Sequence, residues 1–233
     1  MHPDFSYTAF TTVALSGILG AALLYARKRT QGDVRPIIIG AATFFTFALL
    51  FEQVLHQILI LLLPSLQVHV AERPLYYVLY GCSMAAIFEE GGRYFAFTRI
   101  MPDYREIGAA ISYGIGHGGL ELLIAGIIGL TVSAHAFAAT EGALWIFERC
   151  AALLGHVSLS VIVFTAAATQ LKSLFLLAVF LHGVADVPIG LYRYGLIGLP
   201  ACDALFGFGV FACCITALFV RRAAETGMRR ERG

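Results

Sequence analysis

Residues 75–97 read LYYVLYGCSMAAIFEEGGRYFAF, an apolar run interrupted by two adjacent glutamates and an arginine, Glu89, Glu90 and Arg93. A helix needs about 20 mainly apolar residues to cross a bilayer, so this run is long enough to span one. An ionised side chain at membrane depth costs roughly 2.5–3.5 kcal/mol, so the three together cost on the order of 8–10 kcal/mol before they pair. Such residues must face a protein interior, and the stretch therefore predicts a transmembrane helix that carries part of a functional site.

The composition of the whole chain is typical of a membrane protein. Of its 233 residues, 59% are hydrophobic and 13% are charged, and the mean hydropathy is +0.80. A soluble domain carries about 25% charged residues. The formal net charge is +1 and no basic patch interleaves with aromatic residues, so no nucleic-acid partner is predicted. The five cysteines form no CxxC pair and lie in apolar runs, where a free cysteine behaves as a small hydrophobic residue.

Seven apolar runs with short connections follow one another along the chain, and because lipid admits only helices or closed barrels, such continuous runs predict helices. Most lysines and arginines fall in the first, third and fifth connections and in the C-terminal tail, whereas the opposite connections carry Arg73 and Arg193. Under the positive-inside rule, this asymmetry predicts an all-α integral membrane protein with seven transmembrane helices, the N-terminus outside and the C-terminus cytosolic. Residues 1–233 are expected to form a single polytopic membrane domain, with the catalytic helices in 75–191. The predicted spans are Phe5–Ala26, Pro36–Leu63, Leu75–Thr98, Ile107–Val132, Leu144–Thr169, Ser173–Leu191 and Ile197–Val220.

Titratable residues in four of the predicted spans fall at a similar depth. At a helical rise of 1.5 Å per residue, Glu89, His117, His156 and His182 lie roughly 14–21 Å from the cytosolic ends of their spans. Unrelated polar residues would scatter in depth, so this shared layer predicts one intramembrane polar cavity. Spacings of three or four residues place further polar groups on the same helix faces. These groups are Arg93, Glu121, Ser160 and Asp186.

Glycines surround His117 in the segment GIGHGG at 114–119. The segment matches GxGxxG, but no strand precedes it and it lies within a predicted span, which excludes a dinucleotide-binding loop. Gly114 and Gly118 also form a GxxxG pair, which predicts a close helix–helix approach around His117. The other polar pairs in or beside spans, Glu52 with His56 and Glu148 with Arg149, are interpreted mainly as structural.

Taken in order, these motifs resemble those of intramembrane endopeptidases. The prenyl-protein and bacteriocin-processing enzymes share EExxR, FxxxH and HxxxN/D motifs, and Tyr113 stands here where that pattern has Phe. The closer resemblance is to the YhfC family of intramembrane peptidases, related to the PrsW proteases, and it covers roughly Leu75 to Pro188. The matching motifs are EExxR at 89–93, GHGGxE at 116–121, ER…H…S at Glu148, Arg149, His156 and Ser160, and LHxxxD at 181–186.

The resemblance implies that the protein, in the bacterial cytoplasmic membrane, hydrolyses a peptide bond of a membrane protein or peptide in or near the lipid bilayer. Glu89 is expected to be the general base that activates water, with Glu90 as the alternative. His117 and His182 would position water or stabilise the oxyanion, and Asp186 would orient His182. The predicted catalytic set is Glu89, Glu90, Arg93, His117, His182 and Asp186, supported by Glu121, His156 and Ser160.

The sequence leaves the cofactor and two other functions open. Catalysis by glutamate without a metal and catalysis with zinc held by His117, His156, His182 and a glutamate, with one position open, are equally compatible with the residues. A proton-coupled transporter or channel would use the buried Glu, His and Asp residues as a relay, although it would predict paired repeats, which the chain lacks. A catalytically silent scaffold is a third interpretation, against which the intact polar set argues. A homo-oligomer is also left open.

Overall fold

The computed structural model describes residues 4–63, 73–132 and 139–230, which form long helices and connecting turns with no strand. The second helix contains a π-helical segment, Phe45–Phe51, and the third continues into a π-helical turn, Ala96–Ile100. The helices of this part of the chain are α1 (Asp4–Arg29), α2 (Arg35–Leu62), α3 (Pro74–Phe95), α4 (Ile107–Val132), α5 (Ala139–Thr169), α6 (Lys172–Arg193) and α7 (Leu199–Arg230).

The helix ends follow from local sequence. After α1, Gln31 and Gly32 take left-handed backbone conformations with φ of 53° and 94°, and the Gly32 N–H donates to the Arg27 carbonyl at 2.8 Å. This bond closes the last turn of α1 and stops the helix. Prolines stand in the first turns of α2 (Pro36) and α3 (Pro74), where the missing N–H costs no helical hydrogen bond.

Five helices of the described residues are long and apolar enough to cross a membrane. The all-helical membrane class is therefore confirmed, whereas the count of seven spans and their orientation stay predictions. In α3, the three ionisable residues Glu89, Glu90 and Arg93 lower the mean hydropathy of the helix. The five spanning candidates are Arg35–Leu62, Ile107–Ile127, Gly142–Thr169, Lys172–Arg193 and Leu199–Ala223.

Helices α4 and α5 form the centre of the described bundle. Helix α4 packs against α1, α2 and α5, and α5 also packs against α6 and α7, while α6 packs against α3. The largest apolar core lies where α3 ends and α4 begins, around the buried side chains of Phe97, Tyr113, Ile162 and Phe164. The Phe97 and Tyr113 ring centroids are 4.6 Å apart. This core holds α3, α4 and α5 together next to the polar residues.

Two glycines allow α4 and α5 to approach closely. A Cβ atom at Gly114 would lie 2.7 Å from the Cα of Val157, and one at Gly118 would lie 2.9 Å from the Cδ2 of His156. A larger residue at either position would force the helices apart. The structure thus shows the close approach predicted from the GxxxG spacing, and it brings the His117 and His156 ring centroids to 5.1 Å.

Candidate intramembrane active site

Helix α3 supplies two carboxylates and the cation between them. Glu90 and Arg93 are fully buried, and Glu89 is 8% exposed. The Arg93 Nη1 atom contacts Glu90 Oε1, and Nη2 lies 3.5 Å from Glu89 Oε2. Spacings of three and four residues place the guanidinium beside both carboxylates, as expected for one helix face. Arg93 therefore offsets part of the negative charge that α3 carries into the bundle.

One oxygen of Glu89 meets histidines from three other helices. Glu89 Oε2 lies 2.9 Å from His117 Nε2 on α4, 3.7 Å from His156 Nδ1 on α5 and 4.0 Å from His182 Nε2 on α6. All three histidines are buried. The structure thus brings together the four residues that share one depth in the sequence, and their catalytic roles stay predictions.

The two adjacent glutamates have different surroundings. Glu90 Oε1 contacts Arg93 and lies 2.7 Å from His182 Nδ1. Glu89 instead lines a cavity of about 70 Å³ between α3, α4, α5, α6 and α7. Such a space holds a few water molecules. Glu89 can therefore reach water, whereas Glu90 is enclosed by its protein partners.

His182 is held by carboxylates on both ring nitrogens. Its Nε2 lies 3.3 Å from Asp186 Oδ2, one turn along α6, and its Nδ1 faces Glu90. This arrangement fixes the ring orientation. Ser160, one turn along α5 from His156, donates its hydroxyl to the His156 carbonyl at 2.7 Å, so it contacts the backbone of the site rather than its side chains.

A polar chain extends from His156 along α4 and α5. His156 Nε2 contacts Glu121 Oε2, and Arg149 Nη1 donates to Glu121 Oε1 at 3.2 Å. The Arg149 Nη2 atom contacts Glu148 Oε1. From the sequence, Glu148 and Arg149 were interpreted as structural residues, and their link to Glu121 was not predicted. A contact between two helices, here α4 and α5, leaves no regular spacing in the sequence.

The residues present fit a divalent metal at one place. The candidate ligand atoms of Glu89, His117 and His156 lie within 4.8 Å of one another, and all three residues are buried. Glu121 holds the far nitrogen of His156, which is the carboxylate–histidine–metal arrangement of many metal sites. Arg93 Nη2 lies 2.5 Å from His156 Nδ1 and would have to withdraw for a metal to bind there.

This group differs from the set predicted from the sequence, three histidines and a glutamate, in one member. Glu89, His117 and His156 have their candidate ligand atoms close together, whereas His182, whose Nε2 lies 4.0 Å from Glu89 Oε2, is not part of the group.

Asp203 on α7 is a buried acidic residue that the sequence reasoning missed. It is 4% exposed, and neither carboxylate oxygen has a hydrogen-bond partner among the described residues. It is the single ionisable residue of the predicted span Ile197–Val220, and that isolation in an apolar run was the signal that could have identified it.

Glu52 and His56 join α2 to α3 beside the site. His56 Nε2 lies 3.2 Å from Glu52 Oε1, and its Nδ1 lies 2.7 Å from the Tyr80 hydroxyl on α3. Glu52 is buried directly after the π-helical segment of α2. These contacts agree with the interpretation of the pair as mainly structural.

Asp33, outside the membrane-spanning segments, joins two connections at one end of the bundle. The Arg35 side chain contacts Asp33 at 2.9 and 2.8 Å, and the Tyr104 hydroxyl donates to Asp33 at 2.6 Å. These hydrogen bonds, the one from Arg35 first, hold the pKa of the Asp33 carboxyl well below its ordinary value. The α1–α2 and α3–α4 connections are therefore tied by an ionised carboxylate.

The fold and the site together define an all-helical integral membrane protein with a buried glutamate–histidine centre beside a small cavity. Comparison with known families matches residues 12–142 and 131–207 to the family described as "YhfC intramembrane metalloprotease". The chain belongs to that family, and the resemblance predicted from its motifs is confirmed.

A curated relative supports the same assignment. The chain is 31% identical over 228 residues to the "Uncharacterized membrane protein YhfC" of Bacillus subtilis (strain 168), which covers 82% of this chain and 88% of the relative. No solved structure matches the chain. The predicted location, an integral protein of the bacterial cytoplasmic membrane, is confirmed, and the family description supports a hydrolase at the level of the family.

Proposed function

We propose that this protein is an intramembrane endopeptidase that hydrolyses a peptide bond of a membrane protein or peptide in or near the bilayer. The observation that carries the proposal is the position of Glu89 Oε2, within 4.0 Å of a ring nitrogen on three helices. A structural ion pair needs one partner, which Arg93 already provides. Three further titratable groups around one carboxylate that borders a cavity are typical of a site for proton transfer.

Glu89 is the general base in this proposal. It accepts a proton from a water molecule in the cavity, and the water oxygen bonds to the carbonyl carbon of the substrate. When the carbon–nitrogen bond breaks, Glu89 returns that proton to the leaving amine, so that acid and amine are released and the carboxylate is restored. Glu90 is less suited to this role because Arg93 and His182 enclose it.

The histidines stabilise and orient the reacting groups. His117, whose Nε2 lies 2.9 Å from Glu89 Oε2, would hold the attacking water or donate to the oxyanion. Asp186 orients His182, and Glu121 orients His156 through direct contacts. The positive charge of Arg93 offsets the repulsion between the two carboxylates of α3, so that both can be buried in one site.

A metal-dependent form of the same reaction uses the same cavity. Glu89, His117 and His156 would hold a divalent ion such as zinc, which when bound polarises the substrate carbonyl and makes bound water more acidic. Glu89 would then be a ligand. The carboxylates that also line the cavity and remain to accept a proton are Glu121 and Asp186.

The proposal includes the topology of the chain. We infer seven transmembrane helices in one domain over residues 1–233, with the catalytic helices in 75–191, the N-terminus outside and the C-terminus in the cytosol. The excess of lysine and arginine in alternate connections supports this orientation. Reporter fusions to the C-terminus test it, and a reporter that is active only outside the cytosol contradicts it.

The decisive experiment compares Glu89→Gln with wild type on cleavage of membrane peptides by purified protein in detergent. Glutamine keeps the shape of the side chain but cannot accept a proton, so the rate should fall at least about 100-fold. Glu106→Gln, in an exposed connection, is the matched control and should retain the wild-type rate. Full activity in Glu89→Gln would refute the assignment of the base.

A chelator separates the two forms of the mechanism in the same assay. Activity that is lost with chelator and restored by zinc supports the metal-dependent form. Indifference to chelator supports catalysis by glutamate alone. Proton flux through reconstituted wild type without any peptide cleavage would instead favour the transporter interpretation.

A further inference from the structure

Asp203 is a buried acid without a hydrogen-bond partner in the part of the chain that the structure describes. This holds for both carboxylate oxygens, and the residue is 4% exposed. Burial of an unpaired carboxylate is costly. A cationic group supplied from outside the chain would offset this cost.

The register of the helices places Asp203 next to the polar chain of α5. Helices α5 and α7 run in the same direction, because each joins α6 through a short turn. A Cβ atom at Gly155 on α5 would lie 3.5 Å from Val210 on α7, so these two residues share a level. Seven residues earlier in each helix stand Glu148 and Asp203. The two carboxylates therefore lie at about the same height in the bundle.

Asp203 also lies on the face of α7 that borders the cavity. Phe206 and Val210, three and seven residues further along, line the cavity, and these spacings keep all three on one face. The only cation that lines this cavity in the described residues is Arg149, and its Nη atoms already contact Glu121 and Glu148. The cavity lining, with Glu89, Glu121 and Asp186 against Arg149, thus holds more carboxylate than cation.

We propose that Asp203, with Glu148, binds a positively charged group of the peptide substrate, the ammonium of lysine or the guanidinium of arginine. This inference rests on the proposed peptidase function and names its substrate class. Val210 on α7 is level with Gly155 on α5, which directly precedes His156. Asp203 lies seven residues before Val210, about 10 Å along the axis of α7. An extended peptide rises about 3.3 Å per residue, so the basic residue should stand about two to four positions from the cleaved bond.

The test uses apolar, quenched fluorescent peptides with one lysine moved along the sequence. Each peptide has a counterpart in which that lysine is Nε-acetylated, which removes the charge. Full-length protein in nanodiscs of zwitterionic lipid is measured in two ways, by cleavage with wild type and by binding to the Glu89→Gln variant. The binding measurement does not depend on cleavage, so the subsite and the peptidase function are tested separately.

We expect the best lysine peptide to bind about tenfold more tightly than its acetylated counterpart, the effect of a charge-assisted hydrogen bond. Adding Asp203→Asn should abolish this preference, whereas Asp103→Asn, an exposed acid in a connection, should preserve it. Equal binding of the lysine and acetyl-lysine peptides would overturn the subsite while leaving the peptidase function in place. A lysine preference without any cleavage would support the subsite and count against the peptidase.

The stability of Asp203→Asn provides a second readout. Because Asp203 has no partner within the described chain, the neutral variant should unfold at the same or a higher temperature than wild type. A lower unfolding temperature would show that Asp203 is paired inside the protein, and this result would also overturn the proposal.

Discussion

Arg93 is the residue whose removal should most destabilise the site. It is fully buried and contacts Glu90, with Glu89 at 3.5 Å and His156 Nδ1 at 2.5 Å. Arg93→Met keeps much of the volume but leaves Glu90 without its cation. Loss of one partner of a buried ion pair costs about 3–5 kcal/mol. At about 2–4 °C per kcal/mol for a chain of this length, unfolding temperature should fall by about 6 °C or more.

The assay is thermal unfolding of purified protein in one detergent, with Arg99→Met as the exposed control from the same segment. The control should remain within about 0.5 kcal/mol of wild type. The double variant Glu90→Gln/Arg93→Met removes both charges and should recover at least about half of the loss. A loss below about 1 kcal/mol in Arg93→Met, or no recovery in the double variant, would refute the ion-pair reasoning.

Three further results are expected from single changes. Glu121→Gln should weaken zinc binding about 10–100-fold, measured by titration, because His156 loses the carboxylate that orients it; unchanged affinity would exclude this role. Gly118→Ala should lower the free energy of unfolding by about 1–3 kcal/mol, measured by thermal unfolding, because the new Cβ would lie 2.9 Å from the His156 ring. The control Gly126→Ala should not lower it, because no atom lies within 4 Å of the position of its Cβ. The Asp33 ion pair stabilises the fold at pH values above about 4, the ordinary pKa of the carboxyl. The α1–α2 connection should therefore lose resistance to protease as the pH falls below that value, and resistance that does not change with pH would contradict this expectation.

The proximity of Glu89 to the three histidines could be predicted from the sequence. A helix rises by a fixed distance per residue, and the membrane sets a common origin for depth, so residues on separate spans can be compared in height. Spacing along one helix likewise placed Arg93 beside Glu89 and Glu90. These features depend on local geometry alone.

The features that were missed depend on how each helix is rotated about its axis. Rotation decides that Glu89 borders the cavity while Glu90 faces Arg93 and His182. The GxxxG spacing predicted a close helix contact at Gly118, but a single sequence does not reveal how all the contacts together set the rotation of each helix. Asp203 was overlooked for a different reason: a lone polar residue offers no spacing to interpret, and its isolation in an apolar run was the one available signal.

The assembly of the site from four helices has a consequence for the synthesis of the protein. Glu90 and His182 are 92 residues apart in the chain, yet their side chains lie 2.7 Å apart. At about 5–20 residues per second, the ribosome needs roughly 5–20 s to pass from one to the other. During that interval α3 is already made, but the helix that completes the centre is not. If the proposed peptidase mechanism holds, a nascent chain should stay inactive until α6 has been inserted and packed, because His182 and Asp186 are absent from the site before then.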